Sequence, residues 1–350
     1  MRGFVLIALT FAPLLVLALL WLLPAQPSLA VTVEVAADGA PEARRSVRLL
    51  LPDAPRGLHA FLSALSYDWQ AVMAGRGAVP RVYVNAIPAE LDRLQPASAR
   101  KRLFFRAVLP LVLRENERLA ELRQRLLRDR DEARRGTLSA LEADWVADMA
   151  RDFDVDGRDF RALLRRVDEV PTSLALAQAA EESGWGSSRF VCAGNALFGQ
   201  WSWNDSSLDM VPEEREVGRS YRIRRFRTLR DAVQAYMRTL NTHWAYEDFR
   251  THREWFRTQG LPFDGRALAE GMVWYSTRRD EYVVGLIRLI NENRLRPLDQ
   301  ARLAPQGVPR DVLDGFAGRS HEGFSGLLAQ ARSIAGQTIA MPPTAREGCS

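Results

Sequence analysis

The chain has 350 residues, 47% of them hydrophobic and 26% charged, enough for a sizeable core and for two domains rather than one. The formal net charge is +5, and every basic residue except Lys101 is an arginine. Two cysteines and four scattered histidines (His59, His243, His252 and His321, with no His-Glu-x-x-His pattern) exclude a disulfide scaffold, a thiolate metal cluster and the commonest zinc-hydrolase arrangement, so neither metal nor cofactor is expected.

Residues 4–23 carry no charge. At about 1.5 Å per residue the run is about 30 Å long, enough to cross a bilayer core. Arg2 is the only charge before it, and the next basic residue is Arg44. That asymmetry predicts a cytoplasmic N-terminus and an exported remainder. Ser28-Leu29-Ala30 is an acceptable small-x-small cleavage site, and Pro24 and Pro27 break the helix before it. Residues 1–30 therefore read as a cleaved signal peptide or as a signal anchor, and both remain open. Either way the expected location is periplasmic, with residues 4–23 holding the protein to the inner membrane if they are not removed.

Residues 31–97 read as a linker with a small element, in which Val31–Ala36 alternates like a short strand and 81–87 is extended. Residues 98–168 form a helical region expected to pack on the rest. Its first helix, 98–135, carries stripes through Phe104, Val108, Val112 and then Leu119, Leu122, Leu126, with a kink expected near Pro110. Its interleaved charges predict a solvated face laced with i,i+4 ion pairs. The rival reading, a surface for nucleic acid, conflicts with export, so no nucleic-acid partner is expected. Two amphipathic helices follow, at 138–149 and 158–167.

Residues 169–296 carry the chemistry. Pro171 suits the first turn of a helix that runs to Glu182 and stops at Gly184 and Gly186. Residues 211–226 fit an irregular hairpin. Leu229–Asn241 is a helix capped by Thr228 or Asp231. Helices at 265–274 and 280–290 complete the region, the last with Thr277 and Asp280 resembling a capping box. Residues 297–350 look like a peripheral tail. The pattern is mostly α.

In Ala177-Gln178-Ala179-Ala180-Glu181-Glu182-Ser183-Gly184-Trp185-Gly186 an Ala-rich, closely packing helix ends in carboxylates and breaks at a Gly-Trp-Gly turn. A half-buried Glu at a helix C-terminus is disfavoured as an anion by both desolvation and the helix dipole. A neutral carboxyl is what a general acid needs. The bland alternative is that Glu181 and Glu182 are both solvated. Trp185 and the glycines favour a ligand cleft instead. Six tryptophans between 185 and 274 offer faces for sugar rings, although core packing is expected for at least half of them. A second carboxylate could come from Glu213-Glu214-Arg215-Glu216.

The Ala177–Gly186 segment, followed by Gly194-Asn195-Ala196-Leu197-Phe198-Gly199, resembles the signature of the bacterial N-acetylglucosaminidase family, glycoside hydrolase family 73 of the flagellar and autolysin type. The longer match, from about Phe104 to about Asn293, is similar to its Bax-like branch. It includes Phe198-Gly199-Gln200-Trp201, Leu240-Asn241-Thr242-His243 and Tyr275-Ser276-Thr277. The resemblance implies a lysozyme-like glucosaminidase domain with a small β-hairpin lobe. It also implies hydrolysis of the β-1,4 bond after N-acetylglucosamine in peptidoglycan. Glu182 matches the general acid. Glu214, with Glu213 and Glu216 as rivals, matches the acidic residue of the hairpin. Tyr282 matches the tyrosine that orients the acetamido group. Gly184, Trp185, Asn195, Phe198, Gly199, Trp201 and Tyr275 are the expected substrate-binding positions. Two departures stand out: Glu181 replaces an apolar residue, and Arg278-Arg279 replaces Asp-Pro. The alternatives are a lytic transglycosylase and a non-catalytic wall-binding protein. Cys192 pairs with Cys349 or is a small buried filler, and both are open.

Overall fold

The computed structural model describes residues 29–37, 40–51, 54–88, 90–156, 159–202, 209–212 and 221–316. The expected N-terminal segment, the acidic run at 213–216 and Cys349 lie outside them. Among the described residues no helix is long and apolar enough to cross a membrane. The fold is mostly helical.

The chain opens with β1 (Leu29–Ala37) and β2 (Ala40–Leu51), antiparallel from Leu29 opposite Leu51 to a register shift at Ala36/Ala37. The short β3 (Val82–Val84) adds to the other edge of β1. Val33 and Val35 are buried while Thr32 and Glu34 between them are half-buried, the period-two pattern of a one-sided sheet. The strand expected at 31–36 is thus present, but the stretch is no linker. Between β2 and β3 run α1 (Ala54–Ala64) and α2 (Trp69–Met73). Neither helix was expected from the sequence. Pro55 sits in the first turn of α1, where a missing N–H costs nothing, and Leu58, Phe61 and Leu62 bury one face.

The centre is α3 (Ala97–Arg135), unbroken through Pro110. From Leu103 to Asn116 every residue is buried, so this part of the helix is enclosed on all sides. Beyond it the helix becomes amphipathic, with Leu119 and Leu126 inward. Its charges pair along the helix, as in Arg118–Glu115 at 2.6 Å and Arg125–Asp129 at 3.7 Å. Packed around it are β3, α1, α4 (Ala140–Asp152), α5 (Phe160–Arg166), α6 (Thr172–Ser183) and α8 (Leu229–Thr242). Thr228 and Asp231 form a reciprocal capping box at the start of α8. There the sheet and the helices are joined. Leu229 N–H donates to Asn85 C=O at 2.9 Å, and Arg230 pairs with Glu34 at 3.3 Å.

Between α6 and α8 lie α7 (Arg189–Gly194) and a two-stranded hairpin, β4 (Trp201–Ser202) against β5 (Arg222–Ile223). After α8 come α9 (Glu247–Thr258), a single turn α10 (Gly265–Leu268) and α11 (Asp280–Glu292). The expected capping box of α11 is not formed: Arg279 occupies the cap position, with no side-chain cap bond. Residues 297–316 are not peripheral. Ala304 N–H donates to Val79 C=O at 2.7 Å, and Phe316 in α12 (Arg310–Phe316) meets Phe61 at 5.2 Å between ring centroids. Cys192 is not a free thiol.

Candidate active site

The site is built at the end of α6. Leu174 to Ala180 are buried without exception, and the small side chains allow close approach to α3 and α11. Gln178 is the one polar side chain in that apolar run, a single turn before Glu182 and on the same face. Ser183 fixes the break that follows. Its hydroxyl donates to Ala179 C=O and accepts from Gly186 N–H at 2.9 Å. Gly184 takes φ +55° as the helix stop. Gly186 holds φ +80°, and a Cβ there would meet Ile87 at 3.0 Å and Phe104 at 3.2 Å. The Ser-Gly-Trp-Gly turn is thereby pressed onto α3.

The two glutamates point to different partners. Glu181 accepts from Arg278 at 2.7 Å on the rim. Glu182 turns inward and its Oε1 accepts from the Tyr282 hydroxyl at 2.7 Å. Tyr282, on α11 and 1% exposed, accepts in turn from the Gln178 amide nitrogen at 3.1 Å. The Tyr236 hydroxyl donates to the Gln178 amide oxygen at 2.7 Å. Burial raises the Glu182 carboxyl above its ordinary range, and the neighbouring Glu181 charge adds to this. Donation by Tyr282 and the Arg278 charge oppose it without cancelling it. Burial also pushes the phenols up, Tyr246 to about 12 and Tyr236, Tyr275 and Tyr282 upward too, so all remain donors at neutral pH.

The opposite wall comes from the Asn195–Gly199 turn. Gly199 adopts φ +57°, which favours glycine, and it lies beside Glu182 Oε2, which a Cβ there would meet at an ordinary contact distance of 3.8 Å. Phe198 lies flat on Tyr236 with centroids 3.8 Å apart. Tyr275 donates to Phe198 C=O at 3.2 Å and stacks parallel on Tyr282 at 5.5 Å. Asn195 faces away from the carboxyl: its amide donates to Phe226 and Arg227 carbonyls, tying the turn to the start of α8. Trp185 is also turned elsewhere. It packs edge-on against Phe105 at 5.2 Å and Phe104 at 6.0 Å, with the Lys101 ammonium 4.3 Å from its ring. Trp201, 56% exposed at the base of the hairpin, stacks on Tyr221 at 4.7 Å.

Glu182, Tyr282, Tyr275, Phe198 and Gly199 thus come together. Gly184, Trp185 and Asn195 shape the backbone around them. Glu214, Glu213 and Glu216 lie outside the described residues. Sequence reasoning missed Gln178 and Tyr236. The signal for Gln178 was available: a lone amide in an alanine helix, one turn from a candidate acid. Tyr236 carried none, because a tyrosine on the apolar face of α8 reads as core.

A cavity of about 670 Å³ lies away from this site, walled by Arg123, Arg130, Phe160, Arg165 and Arg257. Arg123 and Arg257 are paired with Asp168 and Arg165 with Glu247, so the cleft follows an ion-pair seam of the fold. Asp129, Glu132 and Glu142 bring carboxylate oxygens within 4.8 Å of one another, but Asp129 is paired with Arg125 and Glu142 serves the cap of α4.

The family model described as mannosyl-glycoprotein endo-beta-N-acetylglucosaminidase matches residues 157–295. Among curated proteins, Protein bax of Escherichia coli (strain K12) is 28% identical over 211 residues, covering 59% of this chain and 74% of that protein. No solved structure matches the chain.

Proposed function

We infer that this chain, a Bax-like member of the glucosaminidase family through residues 157–295, is a peptidoglycan hydrolase. In this reading the domain is lysozyme-like and cleaves the β-1,4 bond after N-acetylglucosamine. Glu182 is the general acid. The observation that carries the reading is the placement of its carboxyl, with Oε1 held by Tyr282 and Oε2 open to the Gly199 turn.

The hydrogen-bond chain runs in one direction. Tyr236 donates to the Gln178 oxygen, which turns the amide nitrogen towards Tyr282. Tyr282 accepts there and donates its own proton to Glu182 Oε1. A neutral Glu182 therefore carries its proton on Oε2, the side that faces the cleft. A glycosidic oxygen placed there takes this proton as its bond to C1 breaks. The resulting carboxylate is met by the Tyr282 donor and the nearby Arg278 charge. Either Glu214 activates the attacking water, or the substrate's N-acetyl carbonyl closes on C1 and water opens that intermediate. Phe198, Gly199, Tyr275 and Trp201 line the glycan path in this reading. Tyr282 acts on the acid. Gly184, Trp185 and Asn195 act by setting the turns. In this reading the protein works in the periplasm, with residues 4–23 as its anchor or its removed signal.

A positioned acid contributes about 10²–10⁴ in rate. Glu182→Gln should lose that much turnover on purified peptidoglycan and keep the thermal unfolding midpoint of the parent. Mass spectrometry of the parent's digest should find reducing N-acetylglucosamine ends. Unchanged turnover in the variant removes Glu182 from the chemistry, and anhydromuramyl ends identify a transglycosylase instead.

A further inference from the structure

Next to the acid the rim carries a feature that the hydrolysis reading does not use. Trp274 and Trp244 are 51% and 71% exposed, and their rings meet at 6.3 Å with planes tilted by 56°. The corner they form continues from the site through touching rings: Tyr282 on Tyr275, Tyr275 on Tyr246 at 5.9 Å, and Tyr246 on His243, which neighbours Trp244. On the same rim Arg278 binds Glu181 and lies over the Tyr282 ring. Arg279, the next residue, places its guanidinium 3.6 Å from the centroid of Trp274.

Arg279 is unusual in two ways. Its backbone takes φ +52° with ψ −118°, a combination outside the left-handed region that other L residues visit and normal only for glycine. Its guanidinium makes no hydrogen bond or ion pair among the described residues, and its side chain is exposed. A strained conformation persists only where the surroundings over-determine it, and such positions gather at binding sites. Here the backbone is pinned on both sides. Arg279 N–H donates to Ser276 C=O at 3.1 Å, and its own C=O accepts from Tyr282 N–H at 3.0 Å. Glycine would fit that geometry without strain. Arginine brings a planar fork of five N–H donors, oriented by the indole beneath it and with no acceptor.

We propose that Trp244, Trp274 and Arg279 form a second glycan subsite beside the cleft, one that takes a sugar bearing an acidic peptide arm. The indoles receive the apolar face of the sugar ring, and the guanidinium binds a carboxylate or amide oxygen of the arm. The occupant is the peptidoglycan strand itself, because the corner is continuous with the ring wall of Glu182. An uncharged polymer of N-acetylglucosamine offers the ring but not the arm. The subsite therefore makes the protein prefer peptidoglycan over chitin. This inference rests on the hydrolase reading above.

The test uses the full chain carrying Glu182→Gln, so that bound polymer is not cut, with purified peptidoglycan and chitin as the two probes. Co-sedimentation gives the affinities, and thermal unfolding is followed in parallel. Arg279→Gly should weaken binding to peptidoglycan about five- to tenfold, leave chitin binding nearly as it was, and raise the unfolding midpoint by a few degrees. Arg279→Ala should lose the same affinity without the rise. Trp274→Ala should weaken binding to both polymers about tenfold. If Arg279→Gly and Trp274→Ala bind peptidoglycan as the parent does, the subsite is wrong while the hydrolase reading stands. If Arg279→Gly loses both polymers equally, the acidic arm is not what Arg279 binds. If the Glu182→Gln parent binds neither polymer, the reading beneath the proposal fails first.

Discussion

Glu181 and Arg278 are two of the three positions, with Arg279, at which the sequence departs from the pattern of the family it resembles, and they bind each other at 2.7 Å. Neither change is legible alone. A glutamate in place of an apolar residue beside the acid adds a like charge next to a buried carboxyl. The arginine supplies the compensating charge and draws Glu181 to the rim, leaving Glu182 to face inward. Both groups also act on Glu182, one pushing its pKa up and the other pulling it down. The direction of the pH effect follows. As the proposed general acid, Glu182 works only when protonated, so turnover should fall as pH rises through its raised pKa. Arg278→Gln removes a charge that favours the anion, so the alkaline limb of kcat should move to higher pH. Glu181→Gln should move it lower. Measured pH profiles that shift the opposite way would contradict the assignment of Glu182 as acid. At this scale the sequence was most readable where chemistry and local structure coincide, as at Glu182 and the glycines after it. It was least readable where a role depends on what lies across the interface, as at Tyr236. Tyr282 was recognised through resemblance and not through its place on the apolar face of α11.

The elements were legible in proportion to their periodicity. The helices expected from 98 onward are present within a few residues, except that 265–274 is a single α turn followed by a 3₁₀ turn, and α7 and α9 were not expected. The second strand and α1 were not expected, because the one forms by pairing with β1 and the other by burying Leu58, Phe61 and Leu62, neither of which is local to the sequence. Pro110 does not end the helix. It is buried inside α3, where tertiary packing holds the helix continuous through it. The turn after α6 holds Glu182, the proposed acid, at its start. Its tightest point is Gly186, where a Cβ would press on Ile87 and Phe104 and where φ is +80°. Gly186→Ala should cost about 1–3 kcal/mol of stability from strain and crowding together. It should also lower kcat, because relief comes by lifting the turn from α3 and moving Glu182. Urea denaturation and turnover measured on the same preparation check both. A loss of stability with full activity would mean that the turn does not position the acid.

Across the whole molecule, Asp168 ties three helices, α3, α8 and α9, to the loop between α5 and α6. It is 2% exposed, its carboxylate is held by Arg257 at 2.7 Å and faces Arg123 at 3.5 Å, and its carbonyl accepts from Asn241 and Arg253. Burial would raise its pKa, but Arg253, Arg257 and Arg123 outweigh that and hold it below the ordinary range. Removing one partner of a buried ion network leaves the rest uncompensated, so Asp168→Ala should destabilise by about 3–5 kcal/mol. The linkage has a definite sign. A lowered native pKa contributes stability above the unfolded value of about 3.9 and loses it as pH falls through the native value. Acid unfolding of the parent should therefore include a step that Asp168→Asn lacks, visible by circular dichroism as pH falls below about 4. The sequence hid this network because its partners lie far apart in the chain and look like ordinary surface charges.

Lys101 rests on the indole of Trp185, which belongs to the turn that ends at Gly186. It is the only lysine of the chain. Apart from the N-terminal amine, the protein thus offers amine-reactive dyes a single address, a few ångströms from an aromatic emitter on the backbone that carries the acid. A label placed there would report by quenching whenever that backbone leaves the long helix. The scarcity of lysine makes the turn after α6 directly observable in solution.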